Sequence, residues 1–270
     1  MNTKGKILVV ASSIDTFELK DGHEERVGYY LNELAIPAMA AIDAGYEIVL
    51  ATPKGNRPAV DRQSLVASHF GGSEAKLREA IVFAASNPGL QNPRSIRSVI
   101  DEGLADYVGV FVPGGHPPMV DLMQDPDLGE VLRHFHVHSK PTALLCHGPI
   151  AATAAMPKAS SFRRALVDDD NEAAKEAAAN WQYAGYRMTI FSNEEEKYAE
   201  EKLMGGRKVP FYPATALTIA GAKVETKGFF QPHVVQDREL ITGQNPPSDH
   251  AIAELFVKAL DRYSATKAAA

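Results

Sequence analysis

Apolar residues in this chain come in short unbroken blocks separated by polar stretches. Residues 6–11 (KILVVA) run apolar after the first lysine, as a parallel strand covered on both faces requires. A polar loop spans 12–28. An amphipathic helix over about 30–44 follows, and Gly45 is placed to end it. Residues 46–51 form the next apolar run, so the chain opens as a βαβ unit with a long first loop. Residues 55–100 break the rhythm with several Pro and Gly, a helical stretch near 73–85 and few strand signals, which predicts an excursion from the core.

The rhythm returns at 107–112 (YVGVFV), followed by Pro113-Gly114-Gly115-His116. A helix is expected over 128–138 and a strand over 141–145 that runs into Cys146. Residues 161–184 are acidic and alanine-rich and suit a surface helical segment. Residues 186–191 read as a strand, and Ser192-Asn193-Glu194-Glu195-Glu196 as a helix start. A helix leads toward Gly221. The runs 234–236 and 240–242 form a hairpin, 249–261 is the last helix, and the tail 264–270 is expected to fray. Strands alternating with helices predict an α/β fold with a mostly parallel sheet and helices on both faces. It is read as a single domain over 1–270, with insertions at about 55–100 and 161–184.

Composition narrows the function. The 270 residues are 45% hydrophobic and 23% charged, ordinary values for a water-soluble globular chain. A net charge of −6 without a long basic run argues against nucleic acid or an anionic membrane as partner. The single cysteine excludes an internal disulfide and a multi-cysteine metal site. Residues 1–6 lack the pattern of a signal peptide, and no apolar run approaches a membrane span, so a cytoplasmic location is expected.

That cysteine carries the chemistry. Cys146-His147-Gly148-Pro149 follows a strand and precedes an alanine-rich helix, the layout of a nucleophile elbow with sulfur in place of a serine oxygen. A sharp turn above a helix N-terminus exposes the side chain and favours a thiolate, so a low pKa is expected. The competing reading is a buried cysteine that merely packs. His147 is adjacent in sequence, but neighbours on a tight turn usually diverge, so it need not face the sulfur. It can act as acid or base toward a substrate, or simply cap the helix. Gly114 and Gly115 let backbone amides approach a ligand oxygen, and with the His147 amide they could form an oxyanion hole; the alternative is a plain turn.

Glu33 lies among the apolar residues Leu31, Leu34, Ile36 and Ala38, where a carboxylate is costly unless partnered or protonated. Near the thiol it could donate a hydrogen bond or act as a base; taken alone, the run favours a solvated helix glutamate. Glu194, Glu195 and Glu196 are explained largely as first-turn charges that suit the helix dipole, with one of them free to orient a histidine. His134, His136 and His138 alternate, but on a helix only His134 and His138 share a face, and no carboxylate completes a metal site. His23, Glu24 and His116 are a weaker metal alternative. No metal and no cofactor is expected.

These motifs resemble the ThiJ/PfpI superfamily, which shares the class I glutamine amidotransferase-like, flavodoxin-like fold. The resemblance rests on Ala143-Leu144-Leu145-Cys146-His147-Gly148-Pro149, on Phe111-Val112-Pro113-Gly114-Gly115-His116 with Asp121-Leu122, on Glu33 with Pro37, and on Asn245-Pro246, and covers about residues 6–260. The long loop before Glu33, the 55–100 excursion and the Cys-His-Gly-Pro form resemble its branch of heat-shock chaperones and glutathione-independent glyoxalases. The resemblance implies that Glu33 contacts the cysteine and that an acid five positions after the aromatic closing the 186–191 run, Glu196, partners His147, a one-turn shift selecting Glu195 or another neighbour instead. It implies the substrate-binding segment Gly114, Gly115 and His116, conversion of small 2-oxoaldehydes to 2-hydroxy acids, and a homodimer. A deglycase, an amidase or peptidase, and a chaperone are rival readings. Segment 161–184 and Pro117-Pro118 depart from the branch pattern.

Overall fold

The structure is a computed structural model that describes residues 3–269, with the backbone alone for 268 and 269. Its strands are β1 (Lys6–Val10), β2 (Thr16–Glu18), β3 (Glu24–Arg26), β4 (Glu47–Thr52), β5 (Arg94–Ser95), β6 (Tyr107–Val112), β7 (Thr142–Leu145), β8 (Arg187–Met188), β9 (Lys223–Val224), β10 (Val234–Asp237) and β11 (Leu240–Gly243). Its α-helices are α1 (Leu31–Asp43), α2 (Glu74–Ser86), α3 (Pro88–Gln91), α4 (Ile96–Glu102), α5 (Pro126–Val137), α6 (Ala159–Val167), α7 (Asn171–Ala177), α8 (Asn193–Lys202), α9 (Pro213–Ile219) and α10 (Asp249–Ala269).

Seven strands form one sheet in the order β10-β11-β7-β6-β1-β4-β5. All neighbours are parallel except the β10–β11 hairpin. The apolar runs explain the arrangement: β6 and β7 are buried at every position, as central strands under helices on both faces must be. Gly109 on β6 admits α10, since a Cβ there would run into Leu260 and Phe256.

The structure corrects several expectations. The 55–100 segment is not wholly outside the core: β5 extends the sheet beyond β4, and Leu90, Ile96 and Val99 join the main core. Its helix α2 builds a second small core from Leu77, Ala80 and Phe70 against Leu31 and Ala35 of α1. The polar 12–28 loop contains the β2–β3 hairpin. Of 186–191 only Arg187 and Met188 pair as a strand, with β9 in a separate sheet; Thr189 donates to the Thr242 hydroxyl and Phe191 to the Cys146 carbonyl instead. Segment 161–184 buries Trp181 and Tyr183, with Trp181 Nε1 donating to the Ala152 carbonyl at 2.9 Å. The tail does not fray at 264, since α10 continues to Ala269. The segment after Cys146 is a 3-10 helix over Gly148–Ala155 with Pro149 near its start.

Candidate active site

Three neighbouring strands, β1, β6 and β7, deliver three parts of one site at their carboxyl ends, the usual place for chemistry in such sheets. Helix α1, which follows the β1 segment, carries Glu33. Gly114-Gly115-His116 follow β6, and Cys146-His147 follow β7. Glu196 enters from the first turn of α8.

Cys146 sits at φ 60°, a left-handed conformation that costs a non-glycine residue about 1–2 kcal/mol. The surroundings impose it. The Cys146 amide donates to the Gly243 carbonyl at 2.9 Å, and the Cys146 carbonyl accepts from the Phe191 amide at 3.0 Å. Gly114 is required beside it: a Cβ there would collide with the Cys146 Cβ and the Glu33 carboxyl. Gly115 has φ +88°, and a Cβ would strike the Gly28 carbonyl.

Side chains converge on the sulfur. His147 does not diverge: its Nδ1 lies 3.3 Å from Cys146 Sγ. Its Nε2 lies 2.8 Å from Glu196 Oε2. Glu33 Oε2 accepts from the Gly114 amide at 2.9 Å, and its carboxyl lies beside the Cys146 thiol, which helps to hold its pKa down. Glu33 is no solvated helix glutamate; it is fully buried, and Pro37 denies its backbone carbonyl the usual helical partner. The nearby Gly115 amide favours the charged form of the sulfur. Exposure is 3% for Cys146, 2% for His147 and 7% for His116, so the site is nearly closed.

Burial dominates the electrostatics. It pushes Glu33 up to about 8, with the thiol and the Gly114 amide pulling the other way, so the carboxyl holds its proton at neutral pH. Burial, and then the nearby Glu33, push the Cys146 thiol well above the ordinary cysteine value. The expected low-pKa resting thiolate is therefore corrected: the elbow is present, but its sulfur is enclosed by acidic groups instead of cations. Burial also raises Glu196, but His116 and His147 outweigh it and hold the carboxyl down at about 2. His147 is lowered by burial and by the adjacent His116.

His116 does not lie with the substrate-facing amides. Its Nε2 is 2.8 Å from Glu196 Oε1, and its ring stacks on Phe17 with centroids 5.3 Å apart. It thus leaves His23, which pairs with Glu25. His116, His147 and Glu196 are the group of three metal-type side chains found among the described residues, with ligand atoms within 4.8 Å of one another. Their geometry is that of two hydrogen bonds to one carboxylate. Of the alternating histidines, His136 bonds Glu239 at 2.7 Å, while the His134 and His138 rings lie 4.2 Å apart.

Sequence reasoning missed three things. Glu195 is not a solvated charge but fully buried: with Ser192 it forms a capping box, and it accepts from Gln244, Asn245 and the Phe230 amide. Tyr30 borders the site; burial, and then Asp61, Cys146, Glu33 and Glu196, push its phenol far up. Phe191 packs on His147 at 4.6 Å between centroids. The S-x-x-E spacing at 192–195 was the available signal for the first.

A family model described as ThiJ/PfpI family-like matches residues 25–199, a span that holds Glu33, Gly114–His116, Cys146, His147 and Glu196. The chain belongs to the ThiJ/PfpI family. Among curated ThiJ/PfpI relatives, the protein/nucleic acid deglycase HchA of Pseudomonas aeruginosa is 23% identical over 260 residues, covering 94% of this chain and 80% of the relative. Its Staphylococcus aureus namesake is also 23% identical, over 261 residues, covering 94% and 79%. Solved structures share the ThiJ/PfpI fold: the rapid encystment protein of Francisella tularensis (TM-score 0.73, 24% identity, 95% and 99% covered) and glyoxalase III of Candida albicans (TM-score 0.71, 21% identity, 95% and 97% covered). No described helix is long and apolar enough to cross a membrane.

Proposed function

We propose that this ThiJ/PfpI protein is a cysteine-dependent, glutathione-independent glyoxalase that converts small 2-oxoaldehydes to 2-hydroxy acids, with related deglycase chemistry on glycated groups. The observation that carries the reading is the convergence of His147 Nδ1 and the Glu33 carboxyl on a single strained cysteine. As Cys146 Sγ attacks the aldehyde carbon, His147 Nδ1 takes the thiol proton, and the carbonyl oxygen becomes the hydroxyl of a hemithioacetal. The Gly115 amide and the Glu33 acid offer hydrogen bonds to developing negative charge. Proton transfer from C1 to C2 through an enediol, handled by Glu33 or His147, turns the hemithioacetal into a thioester of the 2-hydroxy acid. Water then cleaves the thioester and restores the thiol. The sum is 2-oxoaldehyde plus water to 2-hydroxy acid, without metal or glutathione.

The closure of the site favours this over a peptidase: a 3%-exposed sulfur suits a substrate of a few atoms better than a carbonyl flanked by chain. The relatives' name adds the deglycase reading and includes nucleic acid, so the expectation of no nucleic-acid substrate, which rests on net charge alone, is not carried forward. Lactate formed from methylglyoxal without glutathione tests the proposal. Turnover that Cys146→Ala abolishes supports it; a Cys146→Ala protein with undiminished turnover overturns it.

A further inference from the structure

One carboxylate serves two imidazoles here. Glu196 Oε2 is 2.8 Å from His147 Nε2, Glu196 Oε1 is 2.8 Å from His116 Nε2, and the two rings lie 4.2 Å apart between centroids. All three side chains are buried. An ionised carboxylate only accepts hydrogen bonds, so both Nε2 atoms carry hydrogen. That leaves the His147 Nδ1 lone pair facing the Cys146 thiol. It also leaves one negative charge to balance two bases. Two imidazolium rings so close repel, and a low-dielectric interior screens the repulsion poorly.

We propose that His116 is a positioning residue that, by competing for Glu196, decides when His147 can accept the Cys146 proton. The inference rests on the reading of His147 as the base for the thiol. The groups facing His116 favour its charge: Glu196 from α8, Asp61 from the loop after β4, and Glu25 from β3, against the like-charged competitor His147. Phe17 covers its other face. Around the sulfur, Glu33 from α1 and Glu195 from α8 oppose a thiolate, and Tyr30 borders the same space. While His116 is a cation, Glu196 is spent and the thiol keeps its proton. Burial lowers the His116 pKa, but Glu196, with Asp61 and Glu25, offsets this and holds it above the ordinary histidine value. When the pH rises through it, His116 becomes neutral. The proton can then pass from Sγ to His147 Nδ1, giving a thiolate–imidazolium pair beside Glu196 with no net proton lost from the pair. Cys146 reactivity should therefore climb in a step above the pH range of an ordinary histidine.

The test is the rate of Cys146 alkylation by iodoacetamide from pH 5.5 to 9.5, in the full chain and in His116→Gln, whose amide can still donate to Glu196 but cannot titrate. We expect a step in the parent that the variant lacks, with any change brought by Glu33 near 8 common to both proteins. The variant should react roughly tenfold faster at pH 6, and the curves should converge toward the alkaline end of the range. The same step in both proteins, a uniform slowing of the variant at every pH, or a step that EDTA removes from the parent would each overturn the proposal. If His116→Gln fails to fold, histidine 15N NMR of the parent at pH 6 decides: His116 charged beside a neutral, Nε2-protonated His147 supports it, and His147 as the cation refutes it. Alkylation needs no 2-oxoaldehyde, so a step without lactate production would sink the glyoxalase reading and leave this one standing.

Discussion

Asn245 Nδ2 donates to Glu195 Oε1 at 2.8 Å, joining the segment before the last helix to the first turn of α8 inside the protein. Glu195 also accepts from Gln244 Nε2 at 3.0 Å and from the Ser192 and Phe230 amides at 2.9 Å. Among the described residues no cation bonds it; four neutral donors hold the carboxyl. An amide side chain cannot accept all four, and its own hydrogens would face donors. Glu195→Gln should therefore destabilise the fold by about 2–3 kcal/mol, whereas exposed Glu194→Gln should be nearly silent. Urea denaturation of both variants checks this, and equal midpoints would refute the buried junction.

Glu196 is the acid between the two histidines. Glu196→Gln keeps the shape and removes the charge. Turnover on methylglyoxal should fall by roughly ten- to a thousand-fold, a bracket that overlaps the usual worth of a positioned acid–base group. Unimpaired turnover would mean that His147 needs no anionic partner.

Glu33 links pH to stability. An unfolded chain releases this proton near 4.5, whereas the buried carboxyl keeps it to about 8. Between those values the native state binds the extra proton, so stability falls as pH rises through the window. Glu33→Gln cannot ionise. Relative to the parent it should gain stability on the order of several kcal/mol between pH 4.5 and pH 8, while losing turnover. Thermal melts at the two pH values read the difference; an identical difference at both would mean that the carboxyl is not held neutral.

Gly114→Ala tests the packing under the sulfur. The added methyl meets the Cys146 Cβ and the Glu33 carboxyl, neither of which has space to retreat. Overpacking of this kind costs about 1–3 kcal/mol. Turnover should drop along with the melting temperature; a variant with parent-like values of both would show that the segment yields.

Much of this was legible in the chain because it is local. The apolar runs of β1, β6 and β7 appear as written, and the turn at Cys146 follows from a strand ending in Cys-His-Gly-Pro. What sequence alone could not supply is partnership across the fold. Residues 186–191 have strand composition, yet Thr189 and Phe191 spend their amides on Thr242 and Cys146. Arg94–Ser95 is a strand because Ala51 and Thr52 offer an open edge. His116 turns to Glu196, 80 positions away in the chain. The Cys146 pKa reversed for the same reason: the turn predicts a thiolate, and burial, with Glu33 of α1 and Glu195 of α8, opposes it.

The two backbone bonds that pin Cys146 have a consequence for synthesis. Their partners, Phe191 and Gly243, both emerge after the cysteine, and Gly243 closes the strand added late to the sheet. Until β11 docks, the Cys146 amide lacks the Gly243 partner that helps to hold its left-handed conformation. The geometry around the sulfur is thus completed by a segment made about a hundred residues after the cysteine itself.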